Sequence, residues 1–132
     1  MILLDTHVLI WWLNGERGQV SAAAAEAIDR QRQGGEIAVS SISAWEIAML
    51  ASRGRLSLSM DVASWLSLVQ EIEAVRFVPV DNDIGVKAVD LPGEFHRDPA
   101  DRIIVATARN LGVAVVSADE KIRAYPHVRT IW

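Results

Sequence analysis

The sequence predicts an α/β domain: a mainly parallel sheet of about five strands with helices on both faces. Three observations carry this reading. Short apolar runs alternate along the chain with longer stretches whose apolar residues recur at helical spacing. Helix start and stop signals, a Ser, Thr or Asp before and a Gly after, punctuate those stretches. The chain has 132 residues, a common size for one domain, and no linker, repeat or low-complexity tract divides it. A single domain over residues 1–132 is expected.

The elements follow in order. Ile2-Leu3-Leu4 reads as a short buried strand that ends at Asp5. Thr6 is placed to cap a short helix through His7 to Trp12, stopped by Asn14-Gly15. Ser21 opens an alanine-rich helix to about Gln33, closed by Gly34-Gly35. Ile37-Ala38-Val39 is the second strand. Ser43-Ala44-Trp45-Glu46 has the form of a capping box, opening a helix that runs to about Ser52 and ends at Gly54. Residues 60–75 form the clearest amphipathic helix, with Val62, Trp65, Leu66, Val69 and Ile72 on one stripe. Leu68 and Val75 widen that stripe beyond what a core face needs, leaving a surplus suited to a partner.

Residues 77–80 read as a third strand, kept short by Pro79. A helix over about 84–90 follows. Asp98-Pro99 begins the next, through Ile103-Ile104-Val105-Ala106 to Leu111, with Gly112 as its stop. Residues 113–116 and 128–131 supply the last two strands. Between them, Ser117 and Glu120 look like another capping box.

Composition narrows the function classes. Hydrophobic residues make up 51% and charged residues 23%, so the chain should fold around a core. Cysteine is absent, which excludes disulfides, thiolate metal sites and thiol nucleophiles and fits a reducing cytoplasm. The opening apolar run is broken by Asp5 and has no basic region before it, so the chain reads as soluble and unprocessed, with no membrane association. The formal net charge is −4, without the basic footprint usual for nucleic-acid binding. Four clustered acids account for that charge, and two divalent cations would cancel it.

Those acids are Asp5, Glu46, Asp101 and Asp119. Asp5 and Asp119 follow strands, while Glu46 and Asp101 lie in first helical turns. In a parallel sheet all four fall at the carboxyl edge, where such folds bind ligands. Carboxylates brought together repel, so they hold protons or enclose a cation. Hard oxygen ligands suit Mg²⁺ or Mn²⁺, and two such ions about 4 Å apart support phosphodiester cleavage. Each acid also has a structural use. Glu46 completes a capping box, Asp98 is a natural N-cap, and Asp101 sits where a helix dipole favours an acid. Asp119 is not needed by the Ser117 box. Thr6 could hold a water or cap its helix. Arg97, Arg102, Arg109, Lys121 and Arg123 lie near the expected acidic edge and could contact a phosphate backbone. His7, His96 and His127 lack metal-ligand spacing, and the five tryptophans read as core or interface. No phosphate-cradling glycine motif occurs.

Together these segments resemble a known family. Leu3-Leu4-Asp5-Thr6-His7-Val8-Leu9-Ile10-Trp11 looks like the opening motif of the PIN domain. Ser43-Ala44-Trp45-Glu46-Ile47-Ala48 resembles its second acidic motif. Asp98-Pro99-Ala100-Asp101-Arg102 with the following Ile-Ile-Val-Ala-Thr-Ala is similar to the third, and Val116-Ser117-Ala118-Asp119 to the fourth. The match spans essentially the whole chain in order, and the closest group is the VapC-type toxins of bacterial toxin–antitoxin pairs. The resemblance implies a three-layer α/β/α sandwich. It implies a Mg²⁺- or Mn²⁺-dependent endoribonuclease, with one or two ions, acting on transfer, ribosomal or messenger RNA. It also implies a homodimer and a small VapB-type antitoxin partner. Asp5, Glu46, Asp101 and Asp119 match the four acidic positions, Asp98 stands as a supporting ligand, and Thr6 and Ser117 match polar positions lining the site.

Two other classes compete. A catalytically inactive PIN-like module would use the same edge to bind protein, and four intact acids argue against it. A phosphatase with an aspartyl nucleophile would want a second Asp two residues after Asp5, where His7 stands.

Overall fold

The computed structural model describes all 132 residues. Five strands form one parallel sheet in the order β3-β2-β1-β4-β5. They are β1 (Ile2–Leu4), β2 (Ile37–Ser40), β3 (Val75–Val78), β4 (Ala114–Val116) and β5 (Thr130–Ile131). The helices are α1 (Thr6–Leu13), α2 (Ala22–Arg32), α3 (Ile42–Ser52), α4 (Val62–Gln70), α5 (Asn82–Val89), α6 (Pro99–Leu111) and α7 (Glu120–Ala124).

Side-chain alternation divides the core into two layers. Ile2, Leu4, Ile37, Val39 and Val116 join Val8, Leu9, Ile28, Ile47, Trp65 and Val69 on one face. Leu3, Ala38 and Val115 join Ile104, Val105, Ala108, Ile122 and Tyr125 on the other. Successive strand residues point to opposite faces, so a sheet buried on both sides must be apolar at every position. Each of β1, β2 and β4 is buried along its whole length. The expected three-layer α/β/α sandwich is the observed one.

The chain runs outward from β1 to β2 and β3, then returns to place β4 on the other side of β1. Leu4 therefore pairs with both Val39 and Val116. The strand order reverses at β1 and β4, and a crevice opens at their carboxyl ends. No helix is long and apolar enough to cross a membrane.

Several expected boundaries move. The helix over 60–75 is only α4, because the chain turns at 71–74 and Val75 joins the sheet opposite Ile37. The strand expected at 77–80 therefore sits earlier, and Pro79, lacking an N–H, follows its last residue. Trp65 and Val69 are buried, while Leu68 remains exposed. α7 forms a complete turn where only a box was foreseen, and β5 is half its expected length. At Gly112 a left-handed φ of +68° lets Val113 N donate to Ala108 O, ending α6 as anticipated.

Candidate active site

Asp5 is the first residue beyond the central strand. Its N–H donates to Val116 O at 3.0 Å, which ties it to the end of β4. Its carboxylate accepts from Thr6 N (2.8 Å) and Ser117 Oγ (2.7 Å), so both oxygens are held. Asp5, not Thr6, is thus the N-cap of α1. Thr6 is fully buried and turned to another use.

Thr6 Oγ1 donates to Glu46 Oε1 at 2.5 Å. A hydroxyl has one proton, so the 2.7 Å contact with Ser43 Oγ must run from Ser43 to Thr6. The result is a directed chain, Ser43 to Thr6 to Glu46, between α3 and α1. The expected capping box at Ser43 does not form: α3 begins two residues earlier, at Ile42, with Ser41 at its cap position and no side-chain cap bond. Ser43 and Glu46 are both released from capping. Ser43 belongs to the site and went unrecognised, because a Ser three residues before a Glu reads as a cap.

Asp98 and Asp119 are the caps of α6 and α7. Asp98 Oδ1 accepts from Ala100 N (2.9 Å) and Asp101 N (3.3 Å). Asp119 Oδ1 accepts from Lys121 N (2.8 Å) and Ile122 N (3.4 Å). The box led by Ser117 is therefore replaced by a cap from Asp119 itself, and Ser117 Oγ accepts from Asp119 N at 3.0 Å while donating to Asp5. Both caps engage Oδ1 alone. Capping and ligation are compatible here, because each second oxygen stays without a partner.

The acids feel one another. Burial pushes the Asp5 carboxyl up, against the lowering effect of the Ser117 and Thr6 bonds. Burial raises Glu46 too, opposed by Thr6 and reinforced by Asp5 and Asp98. Asp101 is pushed up to about 8, first by burial and then by the charges of Asp5, Asp98, Asp119 and Glu46. Its Oδ2 lies 2.9 Å from His96 Nε2, within ion-pair distance, but the ring nitrogen is not aligned for a hydrogen bond and has no other partner. No three acidic or histidine side chains converge as a ready-made cage; Asp5, Glu46 and Asp101 instead lean on Ser117, Thr6 and His96. The donor set is all hard oxygen with unsatisfied negative charge, which fits Mg²⁺ or Mn²⁺ by chemistry.

The basic residues separate. Arg102 donates to the carbonyls of Ala88, Val89, Phe95 and His96, so its guanidinium holds the 88–96 segment in place. Arg109 sits eight positions beyond Asp101 toward the other end of α6, donating to His127 O. Hollows beside Lys87, Arg109 and Arg129 lie there too, away from all four acids. Arg97, Lys121 and Arg123 are exposed, Arg97 next to Asp98 and Lys121 on the first turn of α7.

The PIN domain family model matches residues 2–128. The chain is 41% identical over 133 aligned positions to Ribonuclease VapC22 of Mycobacterium tuberculosis (strain ATCC 25618 / H37Rv), covering 99% of this chain and 98% of that one. Among solved structures it resembles VapBC2 from Rickettsia felis bound to a promoter DNA fragment (TM-score 0.70, 15% identity, 98% and 97% of the two chains). It also resembles DNA-bound VapBC from Salmonella typhimurium (TM-score 0.69, 19% identity, 98% and 95%). At these identities the structural likeness speaks for the fold alone.

Proposed function

The chain belongs to the PIN domain family, and on that premise we propose that it is a divalent-metal-dependent endoribonuclease, the toxin of a toxin–antitoxin pair. The observation that carries the proposal is the gathering of Asp5, Glu46, Asp98, Asp101 and Asp119 at the carboxyl ends of β1 and β4, where burial first and then the charges of the other four push Asp101 up to about 8. Such a cluster is costly unless a cation or protons offset it, and clusters of this kind mark functional sites.

Asp5, Glu46, Asp101 and Asp119 hold Mg²⁺ or Mn²⁺, one ion or two, with Asp98 in support. When bound, such an ion would supply Lewis-acid chemistry for phosphodiester hydrolysis. The chain's own residues do the rest. Asp5 is fixed in rotation by Ser117 and Thr6, so its carboxylate is oriented before anything binds. Thr6 occupies Glu46 Oε1 and leaves Oε2 free of that bond. Asp101 would have to be deprotonated to hold such a cation. Arg97 and Lys121 steer the RNA backbone at the rim, which compensates for an acidic chain.

The 41% identical relative is named a VapC ribonuclease, and the solved neighbours are VapBC complexes. These support a small VapB-type antitoxin as partner. The family resemblance of the sequence motifs adds to the proposal a homodimer as the assembled form and action in the cytoplasm on transfer, ribosomal or messenger RNA. The test is incubation of the purified chain with total RNA and Mn²⁺, with and without chelator, beside Asp5→Asn, followed by sequencing of new ends. Chelator-sensitive cuts absent from Asp5→Asn are expected. Cleavage by Asp5→Asn at the parental rate would defeat the proposal.

A further inference from the structure

The tryptophan of the second acidic segment is out of place for a core residue. Trp45 is 57% exposed, the one aromatic side chain among the large exposed hydrophobics. It lines a groove of about 440 Å³ with Ile42, Met49 and Pro99, and the remaining wall includes Glu46 and Asp98. The groove is apolar along its floor and ends at two of the site's own acids.

We propose that this groove is a base-binding subsite, in which one unpaired base of the RNA stacks on the Trp45 indole beside the bond to be cut. The inference rests on the ribonuclease reading and specifies how that site holds its substrate. An unpaired base is a flat apolar ring, and exposed aromatics are the usual platform for it. Trp45 immediately precedes Glu46 on α3, so a base seated there lies one nucleotide's reach from the acids. Arg97, exposed beside Asp98, supplies the cation for the adjoining phosphate.

A second copy of the chain fits less well. Self-association over this groove would bring the Glu46 and Asp98 carboxylates of two copies together, and like charges across an interface are costly. One tryptophan flanked by half-buried Ile42 and Met49 also falls well short of the roughly 800 Å² per partner of a standard interface.

The experiment compares the parent chain with Trp45→Ala and Trp45→Phe on an oligonucleotide spanning one mapped cut. Trp45→Ala should raise KM about tenfold with kcat little changed, and Trp45→Phe should stay within about threefold. Abasic substitution, scanned across the nucleotides flanking the cut, should reproduce the tenfold loss at one position in the parent and add nothing in Trp45→Ala. Unchanged KM in Trp45→Ala, or independent losses at every abasic position, overturns the proposal. So does conversion of a dimer to a monomer by Trp45→Ala, which makes the groove a protein contact. If the parent cuts no RNA, the ribonuclease reading fails. The groove is then judged by oligonucleotide anisotropy in Ca²⁺, where equal affinity of parent and Trp45→Ala refutes it and a tenfold difference abolished by one abasic position supports it.

Discussion

Ser117 and Asp5, 112 positions apart in the chain, are joined by a 2.7 Å hydrogen bond at the seam between β1 and β4. The bond exists because those strands are neighbours in register, with Leu4 opposite Val116. It fixes the one acid that is buried to the level of the core.

Removing that donor should show first in cation binding. In Ser117→Ala, Asp5 Oδ2 loses its partner in a buried setting, and the carboxyl, already raised by burial, rises further. We expect about tenfold weaker Mn²⁺ binding and a stability loss of about 1–2 kcal/mol, the usual cost of an unsatisfied buried acceptor. Calorimetric titration with Mn²⁺ and denaturant unfolding check the two parts. Unaltered Mn²⁺ affinity would mean that Asp5 does not contribute to the ion.

The pH dependence of stability has a defined sign. Asp101 carries a folded-state pKa of about 8 against 3.8 for an ordinary aspartate. The folded chain therefore binds this proton more tightly, so the contribution of Asp101 to the stability of the metal-free protein is fully present below about 4 and is lost as pH rises through about 8. Asp101→Asn should flatten that decline and raise the metal-free Tm at pH 8.5 by about 5 °C. Saturating Mn²⁺ should reverse the decline in the parent and leave the variant unmoved. Melting curves from pH 4 to 9, with Mn²⁺ and with chelator, decide it; a parent Tm that climbs with pH would contradict the assignment.

The chain of hydroxyls from Ser43 through Thr6 to Glu46 separates hydrogen bonding from packing. Thr6→Val keeps the shape but leaves Glu46 Oε1 and Ser43 Oγ without their partner. Thr6→Ser keeps the proton and removes a methyl group. We expect Thr6→Val to lower cleavage about thirtyfold and Thr6→Ser to stay within about threefold, in line with the effect of losing one charge-assisted hydrogen bond. Equal losses in the two variants would assign Thr6 to packing alone.

The fold was legible in the sequence because both of its signals are strong. Runs such as Ile2-Leu3-Leu4 are apolar at every position, which only a doubly covered strand requires. Asp98-Pro99 and Gly112 punctuate α6 by local chemistry alone. Boundaries were lost where tertiary pairing overrode periodicity. Val75 fits the stripe of a helix but is drawn into the sheet by Ile37. Within the proposed site, Asp5 and Asp119 stood out by following strands, Glu46 and Asp101 leaned on the family resemblance, and the hydrogen-bond partners of the acids were not legible. Ser43 has the local pattern of a cap, and its hydrogen bond to Thr6 is a product of how α1 and α3 pack. Arg102 next to Asp101 looks like a phosphate ligand until the 88–96 segment folds over it.

Arg102 and Lys121 therefore make opposite predictions. Arg102 satisfies four backbone carbonyls, three of them through partly buried bonds. Arg102→Ala should cost about 2–3 kcal/mol of stability and loosen the segment that carries His96 to Asp101. Lys121 donates only its backbone N–H and leaves its ammonium in solvent. Lys121→Ala should leave the Tm unchanged and weaken RNA binding across sequences, reducing the salt slope of log K by about one. Parallel melting curves and RNA titrations over a salt series distinguish the roles. An Arg102→Ala protein with parental stability and a lowered salt slope would return that arginine to the RNA surface.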